Sequence, residues 1–176
     1  MNYFHLFQLP QQFEIDKQIL INTFYELQKK YHPDMCNKKI LHKKNQLSMA
    51  IKINQGFNIL NNKFTRANYL LKIYKKKFSF KENHTINEKE ILLEKFKLYE
   101  KIQKIKNKPN SYKKINFFIK KIKNKLSFNF QNFNKNIKEK KINSANKIFF
   151  HISFIYKILQ KLKKIKKIMY KKKEKK

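Results

Sequence analysis

An all-helical fold is what this sequence predicts, and three observations carry the prediction. One glycine and three prolines in 176 residues leave little turn chemistry for β-hairpins. Apolar residues recur at three- and four-residue steps almost throughout, which is the period of an amphipathic helix. A hydrophobic content of 41% supplies enough apolar surface to build cores, in a chain long enough for one ordinary domain or two small ones.

The first elements follow from caps and breaks. A short apolar opening (Tyr3, Phe4, Leu6, Phe7, Leu9) closes at Pro10. Asp16 can then cap a second helix that carries Ile19, Leu20, Phe24, Leu27 and Tyr31 on one face and Lys17, Lys29 and Lys30 on the other. That helix must stop before Pro33, because proline disfavours helical geometry in the residue before it and has no N–H for the ladder. From about Ile40 a third helix repeats Leu47, Ala50, Ile51, Asn54, Phe57 and Leu60, antiparallel to the second if the intervening loop is tight. Gly56 inside it reads as a weak spot, costing about 1 kcal/mol relative to alanine. A fourth helix from near Phe64 carries Ala67, Leu70, Leu71 and Tyr74, and the basic run from Lys75 to Lys81 reads as a linker.

The second half repeats the logic with longer helices. Thr85 and Glu88 form a capping box that opens a helix reaching about Ile105. Pro109 and Asn110 end that connection, and Ser111 can cap the next helix, whose seam is Ile115, Ile119, Ile122, Leu126 and Phe133. A last helix from about Asn143 shows Ile148, Ile152, Ile155, Leu159, Leu162 and Ile165. The expected organisation is therefore a helical-hairpin domain over 1–74, a linker over 75–84, an antiparallel three-helix bundle over 85–170 and a solvated basic tail over 171–176.

Forty-four basic against 11 acidic residues give a formal charge of +33, which alone would point to nucleic acid or an anionic membrane. The excess is spread along the whole chain as lysine, with Arg66 the single arginine, whereas a phosphate reader favours the bidentate arginine fork. Compositional drift accounts for such a bias better than a selected binding patch. Cys36 stands alone, and His5, His32, His42, His84 and His151 lack ligand spacing, so neither a disulfide framework nor a metal or other cofactor is implied. The opening MNYFHLFQLP has no basic n-region followed by a long apolar run, and no stretch reaches the ~18 uninterrupted apolar residues of a spanning helix. A cytoplasmic protein with no membrane partner is the expectation.

Against this basic background the stretch QKKYHPDMCNKK holds one carboxylate on a proline-fixed loop. The geometry suits a contact group: Asp34 can accept a charge-assisted bond from a partner arginine while Lys29 and Lys30 steer towards an acidic surface. The competing reading is that Asp34 only caps the helix that follows, and the two roles are compatible. A catalytic use of His32, Asp34 and Cys36 lacks the third orienting group and the pocket it would need.

An HPD loop between a basic amphipathic helix and an INQGF-type helix resembles the J-domain of DnaK-class co-chaperones. The segments MNYFHLFQLP, YELQKKYHPD, INQGFNIL and TRANYLL, followed by HTINEKEILLEKFKLYEKI, resemble in order and spacing the HscB family, which serves iron–sulfur cluster assembly, over nearly the whole chain. The resemblance implies a non-enzymatic co-chaperone in which Lys29, Lys30, His32, Pro33 and Asp34 dock on a DnaK-class chaperone of the HscA type and stimulate its ATPase.

A second surface lies on the helix opened by Thr85. Ile91, Leu98, Ile102 and Ile105 make one apolar stripe, and Leu92, Leu93, Phe96 and Tyr99 make another. One stripe suffices for a three-helix bundle, so the other is available to a partner, unless a phenylalanine-rich sequence merely has a wider core. The resemblance implies that Leu92, Leu93, Phe96, Glu100 and Phe154 bind an iron–sulfur scaffold protein of the IscU type. Lys97 and Lys104 depart from the family pattern, which tends to acidic residues there. A basic helical nucleic-acid-binding protein, or a general J-domain protein with another client, remains the alternative.

Overall fold

The computed structural model describes residues 2–31, 40–77, 88–106 and 111–173. Among these the elements are α1 (Tyr3–Leu6), α2 (Lys17–Tyr31), α3 (Ile40–Asn61), α4 (Lys63–Lys77), α5 (Glu88–Lys106), α6 (Ser111–Lys138) and α7 (Ile142–Lys173), with no strand. The chain divides into two compact units, residues 1–78 and 79–176.

In the first unit the cap expected at Asp16 is present. Asp16 Oδ1 accepts from the N–H groups of Gln18 at 2.7 Å and Ile19 at 3.2 Å, satisfying two of the orphan donors at the start of α2. Asn62, which the sequence reading did not single out, caps α4 by accepting from Phe64 N–H at 2.8 Å. α2 and α3 run antiparallel, as the pairing of Gln28 Nε2 with Asn54 Oδ1 at 3.1 Å and the stacking of Phe24 on Phe57 at 4.1 Å require. The core gathers Phe4, Phe7, Leu9, Phe13, Leu20, Ile53, Leu60, Ala67 and Leu70.

Three expectations change here. Gly56 is no mere weak spot: a Cβ there would lie 2.8 Å from both Phe7 and Tyr3, so its bare backbone is what lets the rings of α1 lie on α3. The buried face of α3 runs through Ile53, Gly56 and Leu60, while Leu47 and Ile51 are exposed. The pairing of Gln28 with Asn54 shows why, since α3 extends past the end of α2 in the turns before about Ile51. On α2, Leu20 and Thr23 take the core and Ile19 faces out.

The second unit is a three-helix bundle in which α6 and α7 form much the most extensive contact and α5 touches both more sparsely. The seam expected on α6 is buried in full, from Ile115 to Phe133, joined by Phe118, Phe130 and Ile137; on α7 Ile152, Ile155, Leu159, Leu162 and Ile165 are buried and Ile148 is half-buried. The α6–α7 turn closes with Lys140 in the left-handed region, φ 57°. Its N–H donates to Ile137 O at 3.1 Å and the next, Lys141, to Asn136 O at 2.9 Å, the double cap that usually places glycine at this position. Gln8, φ 54°, closes α1 in the same way, through Gln8 N–H to His5 O and Leu9 N–H to Phe4 O.

Helix also runs into both basic segments expected to be irregular. α4 continues through Lys75 to Lys77 and α7 through Lys173, because lysine is a good helix former and nothing in either run breaks the ladder. Thr85 of the expected capping box lies outside the described residues, and Ser111 is the first helical residue of α6.

Candidate functional surfaces

The first surface is the end of α2. Lys29 and Lys30 are exposed, and Lys30 Nζ stands 5.6 Å from the centre of the Tyr31 ring. The contact between Gln28 and Asn54 anchors this last turn to α3, so both lysines project from a tethered helix end. His32, Pro33 and Asp34 lie outside the described residues.

The second surface is α5. Ile102 is buried and Leu98 and Ile105 half-buried, as the inward stripe requires. Leu93 at 55% and Phe96 at 64% exposure stand on the outward face one turn apart, next to Lys97, Glu100 and Lys104. Glu100 is paired with Lys104 at 2.6 Å, and that hydrogen bond and charge hold its carboxyl below the ordinary carboxylate value. The side chains of Ile91 and Leu92 lie outside the described set. Tyr99, assigned to the outward stripe, instead turns towards α7, where Lys161 Nζ sits 4.1 Å over its ring. Phe154 is enclosed, at 9% exposure, with its ring 6.4 Å from that of His151.

A polar cluster absent from the sequence reading connects these pieces. Glu94, between Leu93 and Phe96 in sequence, turns inward; its Oε2 lies 2.7 Å from His151 Nε2 on α7, and its Oε1 accepts from Lys125 Nζ on α6. Asn129 Nδ2 donates to Lys125 O at 2.8 Å, which turns its Oδ1 towards His151 Nδ1 at 3.3 Å. Burial pushes the Glu94 carboxyl up, but the hydrogen bonds and charges of His151 and Lys125 outweigh it and hold the group below the usual value. One carboxylate thus joins all three helices of the bundle and fixes the rotation of α5 that leaves Leu93 and Phe96 outward. A carboxylate in so lysine-rich a chain was the available signal, but nothing local distinguishes a residue that faces inward from one that faces water.

Arg66 was also missed as a structural residue. It is 1% exposed, its Nη1 donates to Leu60 O at 2.6 Å, and its guanidinium lies 5.4 Å from the Phe13 ring centre. Burial lowers its pKa from the ordinary value, against the opposing charge of Glu14. Its retention as the one arginine among 44 basic residues was the visible hint.

No helix among the described residues is long and apolar enough to cross a membrane, and none of their His, Cys, Asp and Glu side chains cluster in a way that could hold a metal ion.

No family model matches the chain. It is 34% identical over 167 residues, 93% of its length, to the co-chaperone protein HscB of Buchnera aphidicola subsp. Acyrthosiphon pisum (strain Tuc7), of which it covers 94%. It is 33% identical over 108 residues to that of Proteus mirabilis (strain HI4320), covering 61% of this chain and 62% of that one. In structure it is similar to chaperone HscB from Vibrio cholerae, with a TM-score of 0.83 at 24% identity over 95% of this chain and 98% of that one. The human co-chaperone protein HscB aligns with a TM-score of 0.74 at 19% identity, over 93% and 81% of the two chains. With relatives of this identity along almost its whole length, the chain belongs to the HscB family of J-domain co-chaperones of iron–sulfur cluster assembly.

Proposed function

We propose that this protein brings an iron–sulfur scaffold protein of the IscU type to a dedicated DnaK-class chaperone of the HscA type and triggers that chaperone's ATPase, promoting cluster release. Lys29, Lys30, His32, Pro33 and Asp34 are the chaperone contact; Leu92, Leu93, Phe96 and Glu100 are the scaffold contact. Phe154 is the contribution of α7 to that contact; it is 9% exposed and its ring lies 6.4 Å from that of His151, the partner of Glu94. The protein acts by contact, in the cytoplasm, and the energy is the partner's ATP.

The observation that carries the reading is the outward pair Leu93 and Phe96 on a helix whose rotation Glu94 fixes. Exposing two large apolar side chains side by side forgoes about 1.5–3 kcal/mol each of burial free energy, which a partner can recover. With Glu100 already paired to Lys104 and Lys97 beside it, apolar area carries more of this contact than charge does.

Steady-state ATPase of the cognate chaperone, with and without scaffold, tests both halves. The intact protein is expected to raise the rate, His32→Gln or Asp34→Asn to abolish the rise, and Leu93→Ala with Phe96→Ala to weaken scaffold affinity at least ~10-fold while leaving bare stimulation intact. Equal stimulation by the loop variants would sink the first assignment, and unchanged scaffold affinity the second.

A further inference from the structure

A groove of about 410 Å3 opens between the C-terminal half of α5 and the start of α6, lined by Lys101, Lys113 and Lys121 together with Ile105, Phe117 and Phe118. Phe117 is 72% exposed, the most exposed large hydrophobic side chain described. A solitary surface phenylalanine needs no explanation, but this one stands at a concavity whose other apolar members are the half-buried Ile105 and the buried Phe118. Lys101 Nζ lies 5.5 Å from the centre of the Phe118 ring, which keeps a cation over the apolar wall.

Charge gives the groove its polarity. No carboxylate lines it among the described residues. The acids one or two turns away on α5 are engaged elsewhere, Glu94 by Lys125 and His151 and Glu100 by Lys104. The groove begins beyond Leu93 and Phe96: Lys101, its first lining residue on α5, is five residues past Phe96, about 8 Å along the helix axis, and Ile105 is one turn further.

We propose that this groove docks an acidic peptide segment of a partner protein, in which an aromatic or branched aliphatic side chain is flanked by Asp or Glu. The apolar side chain packs against Ile105, Phe117 and Phe118, and the flanking carboxylates meet the lysine ammonium groups. A nucleic-acid strand suits the site less well. The planar arginine fork that matches phosphate is absent from the lining, Arg66 being buried in the other unit, and an ammonium serves a carboxylate equally well as a point charge.

The test is an NMR titration of the 15N-labelled full chain with the pentapeptide Glu-Glu-Phe-Glu-Glu at an ionic strength of about 0.1 M. Saturable shifts confined to the end of α5 and the start of α6 are expected. Phe117→Ala, at a position too exposed to disturb folding, should weaken binding ~5-fold or more, and Lys113→Glu with Lys121→Glu ~10-fold or more. Equal binding of Glu-Glu-Ala-Glu-Glu would overturn the proposal, because bulk charge would then suffice. Shifts spread over the whole basic surface, or tighter occupation of the same residues by oligothymidylate, would overturn it as well.

Discussion

Arg66 does inside the first unit what lysine cannot. Its planar guanidinium donates to Leu60 O, which lies close to the end of α3, and at the same time lies over the Phe13 ring, whereas an ammonium on a shorter stem can satisfy one of these contacts at a time. Arg66→Lys is therefore expected to lower stability by about 1–3 kcal/mol, read as an earlier urea midpoint with unchanged slope. Neutral behaviour would mean that the contact with Phe13 contributes nothing. Side-chain identity made Arg66 conspicuous in the sequence, but its burial was not legible, because an arginine after a helix start reads as surface until the elements around it are packed. Gly56 shows the opposite error: helix propensity correctly prices glycine in isolation, and only the approach of Tyr3 and Phe7 to within 2.8 Å of the absent Cβ explains why a larger residue does not fit.

At the level of elements, the two left-handed caps show how helices end in a chain with one glycine. Lys140 holds φ 57° at the close of α6, where a Cβ is unfavourable, so Lys140→Gly should stabilise the protein by about 0.5–1 kcal/mol and raise its thermal midpoint by a few degrees. A fall instead would mean that the Lys140 side chain has a packing role. α5 is held differently, through Glu94. Because its carboxyl is depressed below the ordinary 4.5 in the folded protein, the stability it contributes is present above that value and is lost as pH falls through the folded one. Between about pH 5 and pH 3 the intact chain should lose more stability than Glu94→Gln does, measured by denaturant melts at each pH. Parallel curves would remove Glu94 from that role. Helix existence and order were legible from periodicity and caps, and the α6 seam matched burial in full. The buried face of α3 was not, because a face is chosen by what packs on it: the helix outruns α2, and α1 seats at Gly56 instead.

For the molecule as a whole, +33 is the dominant electrostatic fact. Like charges spread over both units repel in the compact state, and salt screens them over a Debye length that shortens from roughly 14 to 4 Å between about 0.05 and 0.5 M. The thermal midpoint should rise by several degrees across that range; a fall would mean that the few ion pairs, such as Glu94 with Lys125, outweigh the general repulsion. This diffuse charge and the two contact surfaces are separate matters. The proposed chaperone contact involves His32, Pro33 and Asp34 and the end of α2, and the proposed scaffold contact an outward face of α5 in the second unit.

The sequence by itself determined the helical class, the order of the elements, the cap at Asp16 and the family, because periodicity, capping and motif spacing are local properties of the chain. Tertiary structure alone decided which side of each helix is inside. It enclosed Phe154, turned Tyr99 to Lys161, buried Arg66 and directed Glu94 to His151 and Lys125 so that Leu93 and Phe96 face out. Burial is a property of pairs of elements, and an amphipathic stripe specifies its partner only once the neighbouring helices compete for it.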